Sequence, residues 1–365
     1  MKILQIIPSL HSAGAEKFVI DLSNELAKTN EVIICSLFSI EENMFMVKQI
    51  DKNIKVITLN KRLGLDLQIF IKIYKLIQEE QPDVVNTHLR ALFYSSYAIF
   101  KFKIKFFHTV HNIASKETGK IYRFIYKILF KKFNVTPIAI SKIVLDSIQK
   151  VYSNKFNILI ENGVVKLGES QKILYVKKEI ESLKSTKNTK VFINIGRITE
   201  QKNQIVLIRA FNKLIENGYD IILLIIGEDS DVEKKLLNKL KDVASNKVYF
   251  LGQRENVIDY LICSDAFCLS SLYEGLPITL LETLSVGTIP ICTPAGGVVD
   301  VIDKDHGFLS SGFTDTEYYK VMKQFLSLNN NSIYEMEENC KQLFIEYYNI
   351  QKTAKTYFEL YKNHS

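Results

Sequence analysis

Short apolar runs alternate with amphipathic segments along the whole chain. Six runs in the first half predict buried strands: KILQIIP, EVIICSL, KVITL, VVNTH, FFHTVH and PIAIS. Five more predict strands in the second half: KVFINIG, IILLIIG, KVYFLG, AFCLS and TIPICT. Because such runs suit strands that are buried on both faces, and helical patterns separate them, the chain is predicted to be an α/β protein with helix-covered parallel sheets.

Length and one polar interruption predict two domains. The chain has 365 residues, more than a single core usually supports, and residues 166–190 are rich in Lys and polar side chains. We expect a first domain at 1–165, a linker region at 166–190, a second domain at 191–340 and a C-terminal helix at 341–365 that packs back on the first domain. Ligands of doubly wound sheets lie at the carboxyl ends of the strands, so functional residues should follow the strands.

The segment that begins at Ser270, SSLYEGLPITLLETLSVGTIPICTPAGG, is the richest in chemistry. Pro277 fits a first helical position and Gly287 a C-terminal cap, which places Glu274 just before a helix and Glu282 on its second turn. Free N–H groups at a helix N-terminus attract phosphate, and carboxylates suit sugar or ribose hydroxyls. Either carboxylate could instead be a capping or solvated residue. However, Glu282 sits among leucines on a helix that is apolar almost all round, where an unpartnered charge is costly. The segment therefore predicts a site for a nucleotide-sugar.

This segment resembles the signature of the retaining glycosyltransferases of family 4, whose E-x7-E motif corresponds to Glu274 and Glu282. Further parts of the family pattern recur in order: SAGAEKFVIDLSNEL, NTHLRA, HTVHN, AISKIVLDSI, ENGV, NIGRITEQKN, LLIIGEDS and VYFLGQRENV. The resemblance implies the GT-B fold, which has two Rossmann-like doubly wound domains with an interdomain cleft. It also implies sugar transfer with retention at the anomeric carbon.

The motif NIGRITEQKN supplies two cations after a predicted strand. The strand ends at Gly196 and delivers Arg197, and Lys202 follows five residues later. An arbitrary Arg–Lys pair is most often solvated, but the resemblance places these two at the diphosphate-binding positions of the family. Arg offers a planar fork and Lys a point charge to phosphate oxygens. Gly275 and Leu276 would offer backbone amides to the donor.

The first domain is expected to supply the acceptor side. Gly14 follows the first predicted strand and would let the backbone approach the donor closely. Family members often have two glycines there, where this chain has Ala13-Gly14. His111 resembles the family histidine that touches the donor sugar, and we predict it as the catalytic histidine. His88 and His108 are weaker candidates, since a histidine near a strand end is more often structural.

A metal site is not expected. Asp229-Ser230-Asp231 matches the D-x-D signature of another glycosyltransferase architecture, in which two carboxylates hold a divalent cation. Three residues are a weak match, and Asp and Ser between a strand and a helix are ordinary capping residues. We therefore predict that Arg197 and Lys202 take the role of the metal and that no cofactor is required.

Charge is distributed unevenly along the chain. Residues 1–165 carry 23 Lys and Arg against 14 Asp and Glu, a net charge of +9, whereas the remainder carries 24 against 26. Cations and aromatic residues alternate in residues 101–132, a pattern that fits an anionic membrane surface as well as a core-facing helix with a solvated lysine face. Nucleic acid is not an expected partner, because no binding motif accompanies the charge.

The sequence thus predicts a retaining glycosyltransferase that moves a sugar from a nucleotide-sugar, a UDP-sugar by our interpretation, to a hydroxyl of a glycan or polyprenyl-linked acceptor in bacterial surface-polysaccharide synthesis. Five cysteines without the paired spacing of a disulfide framework predict a cytoplasmic protein, and no apolar run reaches membrane-spanning length. The basic segment 101–132 leaves a peripheral position at the inner face of the cell membrane open. The alternatives are a nucleotide-sugar epimerase of the same architecture and an inactive partner-binding relative. A dinucleotide-dependent oxidoreductase fits poorly, because the full G-x-G-x-x-G is missing.

Overall fold

The computed structural model describes residues 1–11, 13–40, 45–227 and 234–363. Its strands are β1 Lys2–Ile7, β2 Glu31–Ser36, β3 Lys55–Thr58, β4 Val84–His88, β5 Lys105–Val110, β6 Thr136–Ala139, β7 Lys190–Ile195, β8 Ile221–Ile226, β9 Val248–Gly252, β10 Ala266–Leu269, β11 Ile289–Cys292 and β12 Phe308–Leu309. All eleven strands predicted from the apolar runs are confirmed. The strand β12 was missed because two residues form no recognisable run.

Helices separate the strands. They are α1 Gly14–Leu26, α2 Gln68–Glu80, α3 Ala91–Lys101, α4 Ala114–Glu117, α5 Lys120–Lys132, α6 Lys142–Val151, α7 Ile173–Leu183, α8 Gln204–Glu216, α9 Lys234–Val243, α10 Val257–Ile262, α11 Ile278–Val286, α12 Asp315–Leu326, α13 Asn330–Leu343 and α14 Ile350–Lys362. Among the described residues, no helix has both the length and the apolar character needed to cross a bilayer.

The strands form two six-stranded sheets with the same topology. Their orders are β3-β2-β1-β4-β5-β6 and β12-β11-β10-β7-β8-β9, and every pairing is parallel. In each sheet the order reverses beside the first strand of that sheet, between β1 and β4 and between β10 and β7. Such a reversal leaves a crevice at the carboxyl ends of the two flanking strands, which is where ligands of doubly wound folds bind.

The chain divides into two compact units, Met1–Val165 with Tyr348–Ser365, and Lys166–Tyr347. The stretch expected as a linker region contains α7, which buries Ile173, Val176 and Ile180 and belongs to the second unit. The core of that unit includes Phe192 and Phe325, whose ring centroids lie 5.5 Å apart. The fully buried strand β8 carries six consecutive apolar residues, as expected for a parallel strand covered on both faces.

The C-terminal helix α14 completes the first unit. Its Tyr357 packs against Phe18 of α1, with ring centroids 6.0 Å apart, and its hydroxyl lies 3.1 Å from Oγ1 of Thr109 on β5. Val164 forms a parallel bridge with Asn349, directly before the helix. The first unit therefore contains the end of the chain as well as its beginning.

Candidate active site

The predicted site residues of the second unit follow the two strands that flank its topological switch point. Residues 196–203 leave β7, and residues 270–277 leave β10 and lead into α11. Since β7 and β10 are neighbouring parallel strands, both loops emerge at the same edge of the sheet. We call them the β7 loop and the β10 loop.

Three hydrogen bonds that involve backbone atoms join these two loops. The Leu272 N–H donates to the Gln201 carbonyl at 2.8 Å, and the Gln201 side-chain amide donates to the Tyr273 carbonyl at 2.8 Å. The Ser270 hydroxyl donates to the Lys202 carbonyl at 2.9 Å. Because the contacts use the backbone of both loops, the loops hold each other in place. Sequence reasoning missed Gln201 and Ser270, since their role depends on which loop lies opposite.

An ion pair brings together two predicted site residues, one from each loop. Lys202 Nζ lies 2.7 Å from Glu274 Oε1. Glu274 is buried and Lys202 is half-buried, so solvent screens the pair less than it would a surface pair. Two predicted site residues that are far apart in the sequence therefore lie side by side at this edge of the sheet.

Glycines let other backbone segments approach the same place. Gly296 has a φ of +62°, and a Cβ there would overlap the Glu274 carbonyl. The Gly297 N–H donates to the Gly275 carbonyl at 3.0 Å. On the other side, a Cβ at Gly227 after β8 would overlap the Gly196 carbonyl. Gly296 and Gly297 thus pack directly against the backbone of the β10 loop. The sequence did not indicate this contact.

Helix α11 begins one residue later than predicted. Pro277 has an extended backbone with ψ of 125° and serves as the N-cap, because its carbonyl accepts the first helical hydrogen bonds while its own torsion angles are not helical. Gly287 ends the helix in the left-handed conformation, as its sequence position indicated. Glu282 is buried on this helix, and Leu276 is buried just before it.

Arg197 differs from Lys202 in its surroundings. Its backbone carbonyl accepts a hydrogen bond from the Gln204 side-chain amide at 2.9 Å. Its guanidinium is exposed and forms no ion pair with any residue in the described part of the chain. The arrangement leaves a cation with five N–H donors at the switch-point edge of the sheet.

The D-x-D candidate, Asp229-Ser230-Asp231, lies outside the described residues. Over residues 1–11, 13–40, 45–227 and 234–363, no three His, Cys, Asp or Glu side chains are grouped so that they could hold a metal ion.

In the first unit, three polar side chains from neighbouring strands form a hydrogen-bonded chain. His88 at the end of β4 lies with Nε2 2.9 Å from Gln5 Oε1 on β1 and with Nδ1 2.8 Å from His111 Nε2, just beyond β5. The weaker candidate His88 is therefore in direct contact with the predicted His111. His108 lies elsewhere, packed against the rings of Tyr126 and Phe130, as expected for a structural histidine.

The Gln5 amide, with its oxygen towards His88, favours one arrangement of protons along this chain. An amide oxygen can only accept, so in this arrangement Nε2 of His88 donates to Gln5 and its Nδ1 accepts from Nε2–H of His111. Asn86 Nδ2 is a second neighbour of His88 Nε2, at 3.3 Å, and its closer partner is Thr109 Oγ1 at 3.1 Å. In the neutral His111 ring the remaining nitrogen, Nδ1, is then a hydrogen-bond acceptor, which suits a sugar hydroxyl.

The short helix α4, which follows His111, ends in a carboxyl group that sequence reasoning missed. Glu117 Oε1 accepts from the His111 backbone N–H at 3.1 Å, and burial raises the pKa of Glu117 to about 8. A raised carboxyl pKa contributes stability below the unfolded pKa and loses it as the pH rises to about 8.

Gly14, the remaining predicted residue of this unit, is the first residue of α1, at the carboxyl edge of β1. Its contact with a donor stays a prediction.

Three histidines make stability depend on pH, His88 and His108, which are buried, and His111, which is half-buried. Burial lowers the pKa of His108 and His111 to about 3, and that of His88 well below its usual 6.5. The unfolded chain therefore binds more protons at these histidines, and their contribution to the free energy of unfolding should fall as the pH decreases from 6.5 towards 3. Glu117 contributes the opposite slope above pH 4.5. The slope is at most about 1.4 kcal/mol per pH unit for each histidine. Urea unfolding between pH 4 and pH 7 measures it.

Two matched substitutions isolate this effect. The variant His108→Gln should show a shallower dependence of unfolding free energy on pH, whereas His11→Gln should keep the slope of the parent, since His11 is exposed. Equal slopes in both variants would contradict the role of burial.

Comparisons with known proteins agree with this architecture. The family described as Glycosyltransferase Family 4 matches residues 12–165, and the family described as Glycosyl transferases group 1 matches residues 176–343. An uncharacterized glycosyltransferase of Methanocaldococcus jannaschii is 31% identical over 321 residues, which cover 78% of this chain and 76% of that protein. The chain belongs to the GT-B glycosyltransferases.

Two further relatives add detail to this membership. A Campylobacter jejuni alpha-1,4-N-acetyl-D-galactosaminyltransferase, named for a diNAcBac-PP-undecaprenol saccharide, is 27% identical over 350 residues, 94% of this chain and 93% of that one. The crystal structure of HepE from Anabaena in complex with UDP and glucose superimposes with a TM-score of 0.85 over 100% of both chains at 19% identity. Because only 19% of the residues are identical, the similarity to HepE supports the fold of this chain and nothing more.

Proposed function

We propose that this glycosyltransferase transfers a sugar from a UDP-sugar to a hydroxyl of a saccharide linked to polyprenyl diphosphate, with retention at the anomeric carbon. The observation that carries the proposal is the Lys202–Glu274 pair, held at 2.7 Å on two joined loops at a topological switch point. The Campylobacter relative named for an undecaprenol-linked saccharide supports this acceptor class, and the UDP complex of HepE supports the donor class.

The roles follow from charge and position. Arg197 and Lys202 bind the diphosphate and stabilise the negative charge that develops on it as the glycosidic bond breaks. Glu274 binds hydroxyls of the donor sugar, and Glu282 binds the ribose. His111 accepts a hydrogen bond from a sugar hydroxyl through Nδ1. Because burial keeps the pKa of His111 near 3, the ring is neutral at physiological pH and supplies no acidic proton.

The reaction needs no covalent enzyme intermediate in this proposal. The bond between the anomeric carbon and the diphosphate oxygen breaks, and the acceptor oxygen attacks the same face of the sugar. The acceptor proton passes to an oxygen of the leaving diphosphate. The protein orients the two substrates and stabilises the separated charge.

Purified protein incubated with a panel of UDP-, GDP- and ADP-sugars tests the donor. We expect slow hydrolysis of a UDP-sugar that persists in excess EDTA, because Arg197 and Lys202 neutralise the leaving group. With an acceptor present, nuclear magnetic resonance of the product should show the anomeric configuration of the donor. Loss of turnover in EDTA that manganese restores would contradict metal independence, and release of an isomerised sugar would favour the epimerase.

The acceptor class implies contact with a membrane. The pattern of residues 101–132 fits an anionic surface as well as a core-facing helix with a solvated lysine face, and these residues include α5, whose Lys127, Lys131 and Lys132 are exposed. The opposite face of α5 packs into the core through Tyr126, Leu129 and Phe130. We propose a cytoplasmic location, peripheral at the inner face of the cell membrane, with the lysine face of α5 towards anionic headgroups.

A further inference from the structure

The segment between β3 and α2 exposes a leucine at every second position. Leu63, Leu65 and Leu67 are 92%, 63% and 69% exposed. Scattered exposed leucines are ordinary, but three within five residues concentrate apolar surface on one short segment. We call residues 61–67 the leucine loop.

The leucine loop is internally hydrogen-bonded. Lys61 Nζ donates to the carbonyls of Arg62 at 2.7 Å and Gly64 at 2.5 Å. The Asp66 carboxylate accepts from the backbone N–H groups of Arg62 at 3.0 Å and Gln68 at 3.1 Å. The polar groups thus satisfy one another on the inner side, and the leucine side chains are left to the outside.

The leucine loop lies at the carboxyl edge of the first sheet, the edge that carries His88 and His111. It is tied to α3, because the Tyr94 hydroxyl donates to the Gly64 carbonyl at 3.3 Å. Ring contacts then connect α2, α3 and α5 in one layer: Phe70–Phe93 at 5.2 Å and Phe93–Tyr122 at 5.0 Å. At the same edge, the first turns of α5 expose Ile121 and Phe124, by 77% and 67%.

Charge around this apolar edge is mainly positive. Seven Lys and Arg follow the carboxyl ends of β3 to β6, in the connections to α2, α3, α5 and α6 or in the first turns of those helices, against the acids Asp66 and Glu117: Lys61, Arg62, Arg90, Lys116, Lys120, Arg123 and Lys142. The only acid of the leucine loop, Asp66, is occupied by its own backbone. Apolar tips surrounded by cations match the boundary between acyl chains and anionic headgroups.

We propose that the leucine loop, together with Ile121 and Phe124, inserts into the surface of an anionic lipid bilayer. The insertion would hold the carboxyl edge of the first sheet, with its histidines, against the membrane. This inference rests on the proposed function in one respect, namely that a lipid-linked acceptor presents its hydroxyl at the carboxyl edge of the first sheet. The leucine loop supplies the apolar contact and α5 the electrostatic one.

A tryptophan probe tests the insertion directly, because the chain contains no tryptophan. In Leu65→Trp, the emission should shift to shorter wavelength with phosphatidylglycerol-containing vesicles, and lipids with brominated acyl chains should quench it. The matched control is Leu174→Trp on α7 of the second unit, where the leucine is 68% exposed. Its emission should not change. Unchanged emission of Leu65→Trp while the protein sediments with the vesicles would overturn the proposal.

Salt dependence distinguishes the apolar contact of the leucine loop from the electrostatic contact of α5. Raising salt from 0.1 M to 1 M shortens the Debye length from about 10 Å to 3 Å, which screens lysines but not leucines. The variant L63S/L65S/L67S should lose the salt-resistant part of vesicle binding, by about tenfold or more. Charge reversal of Lys127, Lys131 and Lys132 to Glu should remove the salt-sensitive part. The control L174S/Y175S, on α7 of the second unit, should bind like the parent.

The outcomes distinguish this surface from the proposed activity. Hydrolysis of a soluble UDP-sugar should be the same in the parent and in L63S/L65S/L67S. If the parent hydrolyses no nucleotide-sugar, the proposed function fails while vesicle binding still decides the insertion. If the triple variant binds vesicles like the parent but changes from dimer to monomer in light scattering, the leucine loop contacts a second copy and the insertion is wrong.

Discussion

Replacing Arg197 with alanine is expected to lower turnover by about 10²-fold or more, because it removes a cation from the charge that develops on the leaving diphosphate. The loss should appear in kcat more than in KM, as expected for an interaction that strengthens in the transition state. Steady-state kinetics with the UDP-sugar found in the donor panel measure both. The free energy of unfolding should stay close to that of the parent, since the guanidinium is exposed.

Arg209→Ala is the matched control for this variant. Arg209 is an exposed arginine of the same unit, but it lies on α8, away from the ends of β7 and β10. It should keep the turnover of the parent. Equal turnover in Arg197→Ala and Arg209→Ala would remove Arg197 from the proposed diphosphate site.

The Lys202–Glu274 pair should show coupled effects on activity and on stability. Lys202→Met leaves the buried Glu274 carboxylate without its cation, which should lower the free energy of unfolding by about 1–3 kcal/mol. Glu274→Gln keeps an acceptor and should cost less. Each single variant should reduce turnover by about 10²-fold, since each removes a contact with the donor. Urea unfolding and kinetics of both variants measure these effects.

The double variant Lys202→Met/Glu274→Gln separates the two roles. It should recover most of the lost stability, because no unpaired charge remains, but none of the lost turnover. The control is Lys213→Met, which breaks a more exposed pair with Asp315 at 2.8 Å and should cost at most about 1 kcal/mol. Additive losses of stability in the double variant would show that the two charges are not coupled, and full recovery of turnover would refute their role in donor binding.

Several elements could be predicted because their signals are local. The buried strands were recognisable because each side chain along a parallel interior strand faces a hydrophobic layer, as in the fully buried β8. The left-handed end of α11 at Gly287 follows from one residue type. The position of Arg197 and Lys202 after a strand followed from the same apolar run, since ligands of this topology bind at carboxyl ends.

Contacts between loops were decided by the tertiary structure. Nothing in the residues around position 202 indicates that Lys202 pairs with Glu274, because 72 positions separate them and the pairing depends on β7 and β10 being neighbours. The same holds for His88 and His111, which the sequence ranked differently although adjacent strands bring their rings into hydrogen-bond contact.

The sequence by itself determined the class of fold, eleven of the twelve described strands and the family, because these depend on periodicity and on ordered motifs along the chain. The tertiary structure alone decided which polar groups meet at the sheet edges, which tautomer the Gln5–His88–His111 chain selects, and that the leucines of residues 61–67 face outwards. The physical reason is that burial and hydrogen bonding depend on neighbours across space. A leucine-rich loop has the same local pattern whether its side chains enter a core or remain exposed.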